Sequence, residues 1–372
     1  MRVVHVVRQF YPSVGGLEAV VMELAAAQLA HGHEVRVVTL DRLFSAAADG
    51  RLAPSERVSG IDVVRIPYRG STRYPIAPSV LNFIKSADIV HVHAIDFFFD
   101  YLAWTKPFHG KPIVASTHGG FFHTSFAALL KRIYFNVITR LSAAWYDGIV
   151  AVSEADKELF AKISSKVVCI ENGVNVQRFL DAAAQTPKKA IISIGRFSSN
   201  KRLDRLSSFF AKLRSHDPEW KLIIAGRPSE LSAGDLRVLV ERAGFSMGVQ
   251  IIESPSDEKL RAAMKECSVL ASSSEYEGFG LTAVEGMAAG LFPLLSDIPA
   301  FRHLIARTNV GMLVDFSNAE EAATNFLRQW EQVAKNYGQA RAAAIQGAQQ
   351  YEWNPVAKSY DRLYEKILTA KK

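Results

Sequence analysis

The chain has 372 residues, 49% hydrophobic and 22% charged, an ordinary balance for a folded globular protein, and its length suggests two domains. A net charge of +7 and a sequence pI of about 9.3 favour anionic partners, but the charge is shared by both halves, so no basic tail singles out nucleic acid. Two cysteines, Cys169 and Cys267, both in apolar runs, exclude a disulfide scaffold; with no secretory signal after Met1-Arg2 and no apolar run of ~18 residues to span a membrane, a cytosolic chain with reduced thiols is expected.

Residues 3–7 form a short apolar run read as a buried parallel strand. A loop ending in Gly15-Gly16 leads into a helix over 17–30, whose apolar face is Val20, Val21, Leu24, Ala27 and Leu29. Further strands are predicted at 34–39, 61–66, 89–93, 112–117 and 148–152, and the run 167–175 ends this half. Strands alternating with helices imply βαβ units and a parallel sheet covered on both faces. A polar, helix-poor piece at 181–189 marks a domain boundary, and the alternation restarts with strands at 190–194, 221–225, 249–252, 269–271 and 292–295. The last ~50 residues read as helical, anchored by Trp330, Tyr337, Tyr351, Trp353 and Tyr360. The expected class is α/β: two Rossmann-like domains, 1–180 and 181–353, with parallel sheets facing across a cleft, and a terminal helix, 354–372, returning to the first domain. The cleft is the default binding site.

The stretch Ser274-Glu275-Tyr276-Glu277-Gly278-Phe279-Gly280-Leu281-Thr282-Ala283-Val284-Glu285 follows an apolar strand and opens a helix. Ligands of open α/β sheets bind at such strand ends, where a helix N-terminus offers free N–H groups to an anion. Gly278 and Gly280 allow close backbone approach, and Glu277 and Glu285 are placed to hold sugar hydroxyls around a diphosphate. The bland alternative is that Thr282 and Glu285 form a capping box and that Glu275 and Glu277 are solvated.

Gly15-Gly16 lies where a dinucleotide fold keeps its phosphate loop, but Gly-x-Gly-x-x-Gly is absent, which speaks against a nicotinamide or flavin cofactor. The pair either brings backbone N–H groups to a sugar or phosphate or is only a turn. Gly195-Arg196-Phe197-Ser198-Ser199-Asn200-Lys201-Arg202-Leu203 follows the first strand of the second domain. Lys201 and Arg202 read as the first turn of the next helix, where cations are disfavoured by roughly 0.3–1 kcal/mol each, so a bound anion is expected to balance them. Arg196 adds a planar fork suited to phosphate oxygens. No Asp-x-Asp motif and no His/Cys spacing for a metal occurs, so no metal is expected; Arg196 and Lys201 supply the charge a leaving diphosphate requires.

His118, in Ser116-Thr117-His118-Gly119-Gly120, falls at a strand end facing the expected cleft, whereas His91 and His93 alternate on their own strand as structural candidates. Tyr68-Arg69-Gly70-Ser71-Thr72-Arg73-Tyr74 is a basic, aromatic loop able to grip a phosphate. The run 121–135 carries Lys131 and Arg132 among bulky apolar groups; it fits either a membrane interface or a core-facing helix with a snorkelling basic pair.

Together these residues resemble the retaining glycosyltransferases of the GT-B fold, family 4: Glu277-x7-Glu285 around Gly278-Phe279-Gly280, with Gly15-Gly16, His118, Asn172-Gly173-Val174 and Gly195-Arg196…Lys201 in matching places. A narrower resemblance, to the bacterial mannosyltransferases of xanthan and acetan assembly, rests on the segments 4–10, 68–71, 73–80 and 116–124. It implies transfer of mannose from GDP-mannose, in α-1,3 linkage, to cellobiosyl-diphospho-polyprenol at the cytoplasmic face of the inner membrane. The resemblance implies that Arg196 and Lys201 hold the donor diphosphate, Glu277 orients the hexose and Glu285 binds the ribose. The N–H groups of Phe279, Gly280 and Leu281 would face hexose or phosphate. His118 would line the reaction centre, Gly16 would let the first, acceptor-binding domain close on the donor, which Gly15 also meets, and Tyr68, Arg69, Arg73 and Tyr74 would meet the acceptor. Ser198-Ser199-Asn200 departs from the Pro and Glu or Lys common there. Another donor or acceptor, a nucleotide-sugar epimerase, and a non-catalytic nucleotide- or nucleic-acid-binding regulator are the alternatives.

Overall fold

The computed structural model describes residues 1–372 apart from 14, 45–49, 73, 119–132, 245–246 and 371–372. The chain divides into two compact units, Met1–Gly173 with Trp353–Lys372, and Val174–Glu352.

The sheet of the first unit contains β1 (Arg2–Val6), β2 (Glu34–Leu40), β3 (Ser55–Val58), β4 (Ile61–Ile66), β7 (Ile89–His93), β8 (Ile113–Ser116), β9 (Gly148–Ala151) and β10 (Val167–Cys169); β5 (Arg69–Gly70) and β6 (Pro75–Ile76) form a separate small hairpin. Strand order is β10-β9-β8-β7-β1-β2-β4-β3. The central strands are apolar on both faces because helices cover both, the condition that makes near-continuous hydrophobic runs the signature of a parallel sheet. Phe98, Phe99, Leu102 and Tyr146 pack on one face, and Val21 and Ala25 of the helix Gly16–Ala30 on the other. After β1 the chain proceeds outward through β2, then returns to the far side of β1 as β7. Loops at the ends of β1 and β7 therefore diverge, leaving a crevice at the switch point.

The sheet is not wholly parallel: β3 pairs antiparallel with β4 at the edge. Its Ser-Glu-Arg-Val sequence is too polar to announce a strand, and the exposed charges suit an edge that must not recruit another chain.

The second unit repeats the plan with β11 (Ala190–Ile194), β12 (Lys221–Gly226), β13 (Val249–Glu253), β14 (Val269–Ser272), β15 (Phe292–Ser296) and β16 (Met312–Val314), in the order β13-β12-β11-β14-β15-β16 and all parallel. Its switch point lies between β11 and β14. Trp220, Phe326 and Trp330 interlock edge to face in one half of its core. Residues 174–180, read from sequence as the tail of the first half, belong here instead: Val174, Val176 and Phe179 are buried in this unit's core, and Val174 N–H donates to the Tyr351 carbonyl at 2.7 Å. Within the run 167–175 the strand β10 ends at Cys169, and Val174 pairs with Glu352 in an isolated bridge.

The final helix, Trp353–Thr369, joins the first unit. Trp353, Ala357, Tyr360, Asp361, Tyr364 and Ile367 recur at helical spacing as its buried stripe. A Cβ on Gly173 would sit 2.4 Å from the Trp353 ring, so glycine is required there by packing. Both thiols are free; Cys267 is buried, whereas Cys169 is only partly so, and burial pushes both up to about 12.

Candidate functional site

The switch point of the second unit gathers most of the residues singled out from sequence. β11 is followed at once by Gly195, held at φ +154, and a Cβ there would press on the Lys201 side chain at 3.0 Å. The following loop makes a 3-10 turn over Ser199–Lys201, and the helix begins only at Leu203. Lys201 and Arg202 thus precede the helix rather than forming its first turn, which corrects the dipole argument. Arg202 occupies the N-cap in a left-handed conformation, φ 45, and folds back onto Asp204 at 3.0 and 2.8 Å. Its guanidinium depresses the Asp204 carboxyl and is itself raised by that hydrogen bond. Arg202 and Arg205 also flank Glu275, at 3.3 and 3.6 Å, so Glu275 is an ion-pair partner that stays exposed to solvent. Arg202 is committed to its neighbours; Lys201 is the cation turned inward.

Lys201 Nζ donates to Glu277 Oε1 at 2.6 Å, and Ser274 Oγ donates to the same oxygen at 2.6 Å. The loops after β11 and β14 are tied together by three further donors. Glu275 N–H donates to the Asn200 carbonyl, Asn200 Nδ2 to the Tyr276 carbonyl, and Ser273 Oγ lies within reach of the carbonyls of both Lys201 and Arg202. A pocket lined by Gly195, Arg196, Lys201, Ser272 and Ser273 lies between them. Arg196 stands exposed at its rim, close enough that its charge helps depress Glu230, behind the larger effect of the Ser199 hydroxyl.

The helix Leu281–Ala289 starts at Gly280, which has φ +91 and no side-chain cap. Thr282 lies inside the helix, so the Thr282–Glu285 capping box does not form. Ala283 and Val284 N–H both donate to the Gly280 carbonyl, at 2.9 and 3.3 Å, so in the first turn it is the N–H groups of Leu281 and Thr282 that a ligand or water can take. Phe279 packs edge to face on Tyr351 and Leu281 against the core. The two glycines differ in what they do. A Cβ on Gly280 would strike Phe301 at 2.8 Å, so turn geometry and packing demand it, whereas Gly278 faces open space. Glu285, one turn in, is 19% exposed and takes Arg178 Nη1 at 3.1 Å. Arg178, which sequence reading passed over, is held by Asp257 at 2.9 and 2.6 Å; that bond raises the guanidinium and depresses the Asp257 carboxyl. Only the fold brings residues 178, 257 and 285 together.

In the first unit Gly15 caps the helix Gly16–Ala30 in an extended conformation without a side-chain bond. The helix's positive end already faces Glu18, which accepts from Ser13 Oγ at 3.2 Å. At the end of β7, Arg8 Nε meets Asp96 Oδ2 at 2.9 Å; burial lifts the Asp96 carboxyl to about 6 despite that cation. Sequence reading gave neither a role, because 88 positions separate them and only the pairing of β1 with β7 brings them together.

Of the loop residues proposed to meet an acceptor, Tyr68 stacks under Arg42 at 4.4 Å and packs on Phe44, while Arg69 is exposed in β5. Tyr74 donates to Asp100 at 2.9 Å and packs edge to face on Phe97; burial raises its phenol further above the ordinary value. Arg73 and the run 119–132 lie outside the described residues.

His118 follows β8 with φ 51 and is bonded through Nε2 to His93 Nδ1 at 2.9 Å; burial lowers it to about 3. His93 Nε2 meets His5 Nδ1 at 2.9 Å, His5 Nε2 meets Gln28 Oε1 at 2.8 Å, and His91 is held between Ser116 Oγ and Tyr364 OH at 2.8 and 2.7 Å. His91 and His93 lie ring against ring, centroids 4.1 Å apart, in one buried array. His5, His91 and His93 have ring nitrogens within 4.8 Å of one another, a proximity compatible with a metal ion that their sequence spacing does not disclose. All six of those nitrogens, however, already have protein partners.

Residues 14–178 match the model described as Glycosyltransferase Family 4, and residues 178–349 the model described as Glycosyl transferases group 1. The chain is 44% identical over 371 residues to the GDP-mannose:cellobiosyl-diphosphopolyprenol alpha-mannosyltransferase of Xanthomonas oryzae pv. oryzae, covering 99% of this chain and 97% of that one. It is 43% identical over 370 residues to the protein of the same description from Komagataeibacter xylinus, covering 99% and 94%. A sucrose-phosphate synthase structure from Thermosynechococcus elongatus shares the fold at 17% identity, with a TM-score of 0.77 over 99% of both chains.

Proposed function

The chain belongs to the family 4 glycosyltransferases, and on that premise we propose that it moves mannose from GDP-mannose onto a polyprenyl-diphosphate-linked cellobiose. The observation that carries this is full-length identity of 44% to a relative described by that activity. In this reading the loops at the β11/β14 switch point receive the donor. Lys201 and Arg196 face the diphosphate, and the uncapped helix tip at Leu281 offers it N–H groups and the positive end of a dipole. Glu277, oriented by Lys201 and Ser274, takes hexose hydroxyls, and Glu285, oriented by Arg178, takes those of the ribose. As the sugar–phosphate bond breaks, negative charge grows on the departing diphosphate. Fixed cations in a half-buried site stabilise that charge without reorganising.

His118 and the Gly15-Gly16 turn serve the transferred sugar; the acceptor's 3-hydroxyl attacks on the face the diphosphate leaves, its proton passing to the departing diphosphate oxygen, which retains the α configuration and gives an α-1,3 linkage. Turnover with a donor panel tests this: GDP-mannose against UDP- and ADP-sugars, with lipid-linked cellobiose present. Transfer from GDP-mannose alone is the expected result. Preference for another nucleotide sugar overturns the donor assignment, and change in the donor without acceptor indicates an epimerase.

A lipid-linked acceptor places the enzyme at a membrane surface. Supporting this, Ile133, Val137, Leu141 and Trp145 recur every fourth residue and are 52%, 50%, 59% and 45% exposed, with Arg140 among them. Trp104 and Phe108, 50% and 88% exposed, lie in the neighbouring helices, which Lys106 ties to the Trp145 carbonyl. Apolar side chains with a basic residue at their margin suit the interface of an anionic bilayer. Among the described residues, no helix is long and apolar enough to cross one.

A further inference from the structure

The buried array behind His118 has a direction. Five residues, Asp361, Gln28, His5, His93 and His118, form one chain of hydrogen bonds in the first unit. The first four are 8% exposed or less. Their donor and acceptor roles follow link by link from the chemistry of the groups.

Asp361 accepts from His31 Nδ1 at 2.6 Å and from Gln28 Nε2 at 3.2 Å. A carboxylate only accepts, so the Gln28 amide must turn its NH2 group toward Asp361 and its carbonyl toward His5. That carbonyl also only accepts, so the hydrogen in the 2.8 Å contact belongs to His5 Nε2. Burial keeps His5 neutral, lowered to about 4, so its single ring proton is spent and Nδ1 presents a lone pair. His93, also kept neutral by burial, must therefore donate from Nε2, which leaves its Nδ1 as an acceptor. That acceptor requires a proton on His118 Nε2, 2.9 Å away. One neutral tautomer remains for His118: Nε2–H directed inward and an unprotonated Nδ1.

We infer that Gln28 and Asp361 are positioning residues that fix this tautomer, so that His118 meets substrate as a hydrogen-bond acceptor for a hydroxyl and not as a donor. The inference rests on the proposed placing of His118 beside the transferred sugar. Reverse the amide of Gln28 and every proton in the chain shifts to the opposite nitrogen, making His118 Nδ1 a donor that opposes the same hydroxyl. The left-handed backbone of His118, uncommon for a residue with a side chain, is the kind of local strain that a packed surrounding must hold in place.

Nitrogen NMR of the histidine rings in the full-length protein, with mannosyl transfer measured in parallel, tests the inference. Wild type should show His118 as the Nε2–H tautomer. Gln28→Met removes the acceptor facing His5, and Asp361→Asn frees the Gln28 amide to turn. Neither residue bonds to His118, yet both variants should move its proton partly or wholly to Nδ1 and lower kcat about tenfold or more, with KM for the donor little changed. Gln28→Glu should restore both readouts: in its protonated form the introduced carboxyl donates to Asp361 and offers its carbonyl to His5, reproducing the amide's polarity. A wild-type His118 protonated at Nδ1, or a tautomer unmoved in folded Gln28→Met and Asp361→Asn proteins, overturns the inference. A tautomer that moves while transfer stays at wild-type rate overturns the placing of His118 at the sugar and leaves the polarity of the chain standing.

Discussion

Replacing Lys201 with alanine separates the two duties of the buried pair at the β11/β14 switch point. Lys201 Nζ and Glu277 Oε1 are 2.6 Å apart, and the side chains are only 17% and 16% exposed. At an effective dielectric near 20 the gross attraction is roughly 6 kcal/mol. Desolvation of both ions cancels most of it, and Ser274 still donates to the abandoned carboxylate, so the cost to stability is on the order of 1–3 kcal/mol. The cost to the reaction is larger if Nζ meets the leaving diphosphate: a fixed group aimed at developing charge is worth ~2.7–4 kcal/mol, or about 10²–10³ in kcat. Transfer from radiolabelled GDP-mannose to lipid-linked cellobiose measures the second quantity, and thermal unfolding the first. Lys201→Arg should recover stability more than rate, since the longer fork changes where the charge falls. Folded Lys201→Ala that transfers mannose within about threefold of wild type would show that the ammonium serves only Glu277.

Other substitutions probe other links of the argument. Gly278→Ala, which enters open space, should change stability by no more than ~0.5 kcal/mol yet lower transfer at least about tenfold, whereas Gly280→Ala, at φ +91 against Phe301, should cost ~1–3 kcal/mol by thermal melt. Equal behaviour of the two glycines contradicts ligand approach at Gly278. Gly226→Ala should cost at least ~3 kcal/mol in urea unfolding, because its Cβ would lie 1.6 Å from the Gly195 carbonyl oxygen and push the Arg196 loop out of place. His31 gains Asn354 and then Asp361 as partners and is raised above 6.5. Its stabilising contribution is complete below pH 6.5 and is lost as pH rises through the raised folded value, so His31→Gln should flatten the fall of Tm above pH 6.5. Leu141→Ser with Trp145→Ser should abolish co-sedimentation with anionic vesicles while leaving Tm within a few degrees of wild type; unchanged sedimentation removes that stripe as the membrane contact.

The sheets were legible in the sequence because buried parallel strands are apolar runs of fixed length, and Val3, Val4, Val6 and Ile89, Val90, Val92 leave little choice. The polar edge strand Ser55–Val58 was hidden for the opposite reason. Within the site, Glu277 and Lys201 were readable from their places after strands, but their pairing was not, since 76 residues separate them and only the neighbouring of β11 and β14 closes the distance. The helix starts at Leu203 and not at Lys201 because Arg202 takes a left-handed turn that its side chain does not advertise. The histidine array was invisible for a similar reason: His5, His91, His93 and His118 lie on two adjacent strands and the loop after a third, joined by register rather than by spacing.

The helix Trp353–Thr369 supplies Tyr360, Asp361 and Tyr364 to the unit whose first strand begins at Arg2. Synthesis on the ribosome must therefore pass Thr369 before that unit can close its interior, while Val174–Glu352 has all its parts earlier. The half made first matures last, exposing unfinished β-sheet surface during translation. A stop codon shortly before Trp353 would injure the remote beginning of the polypeptide more than the region beside the break.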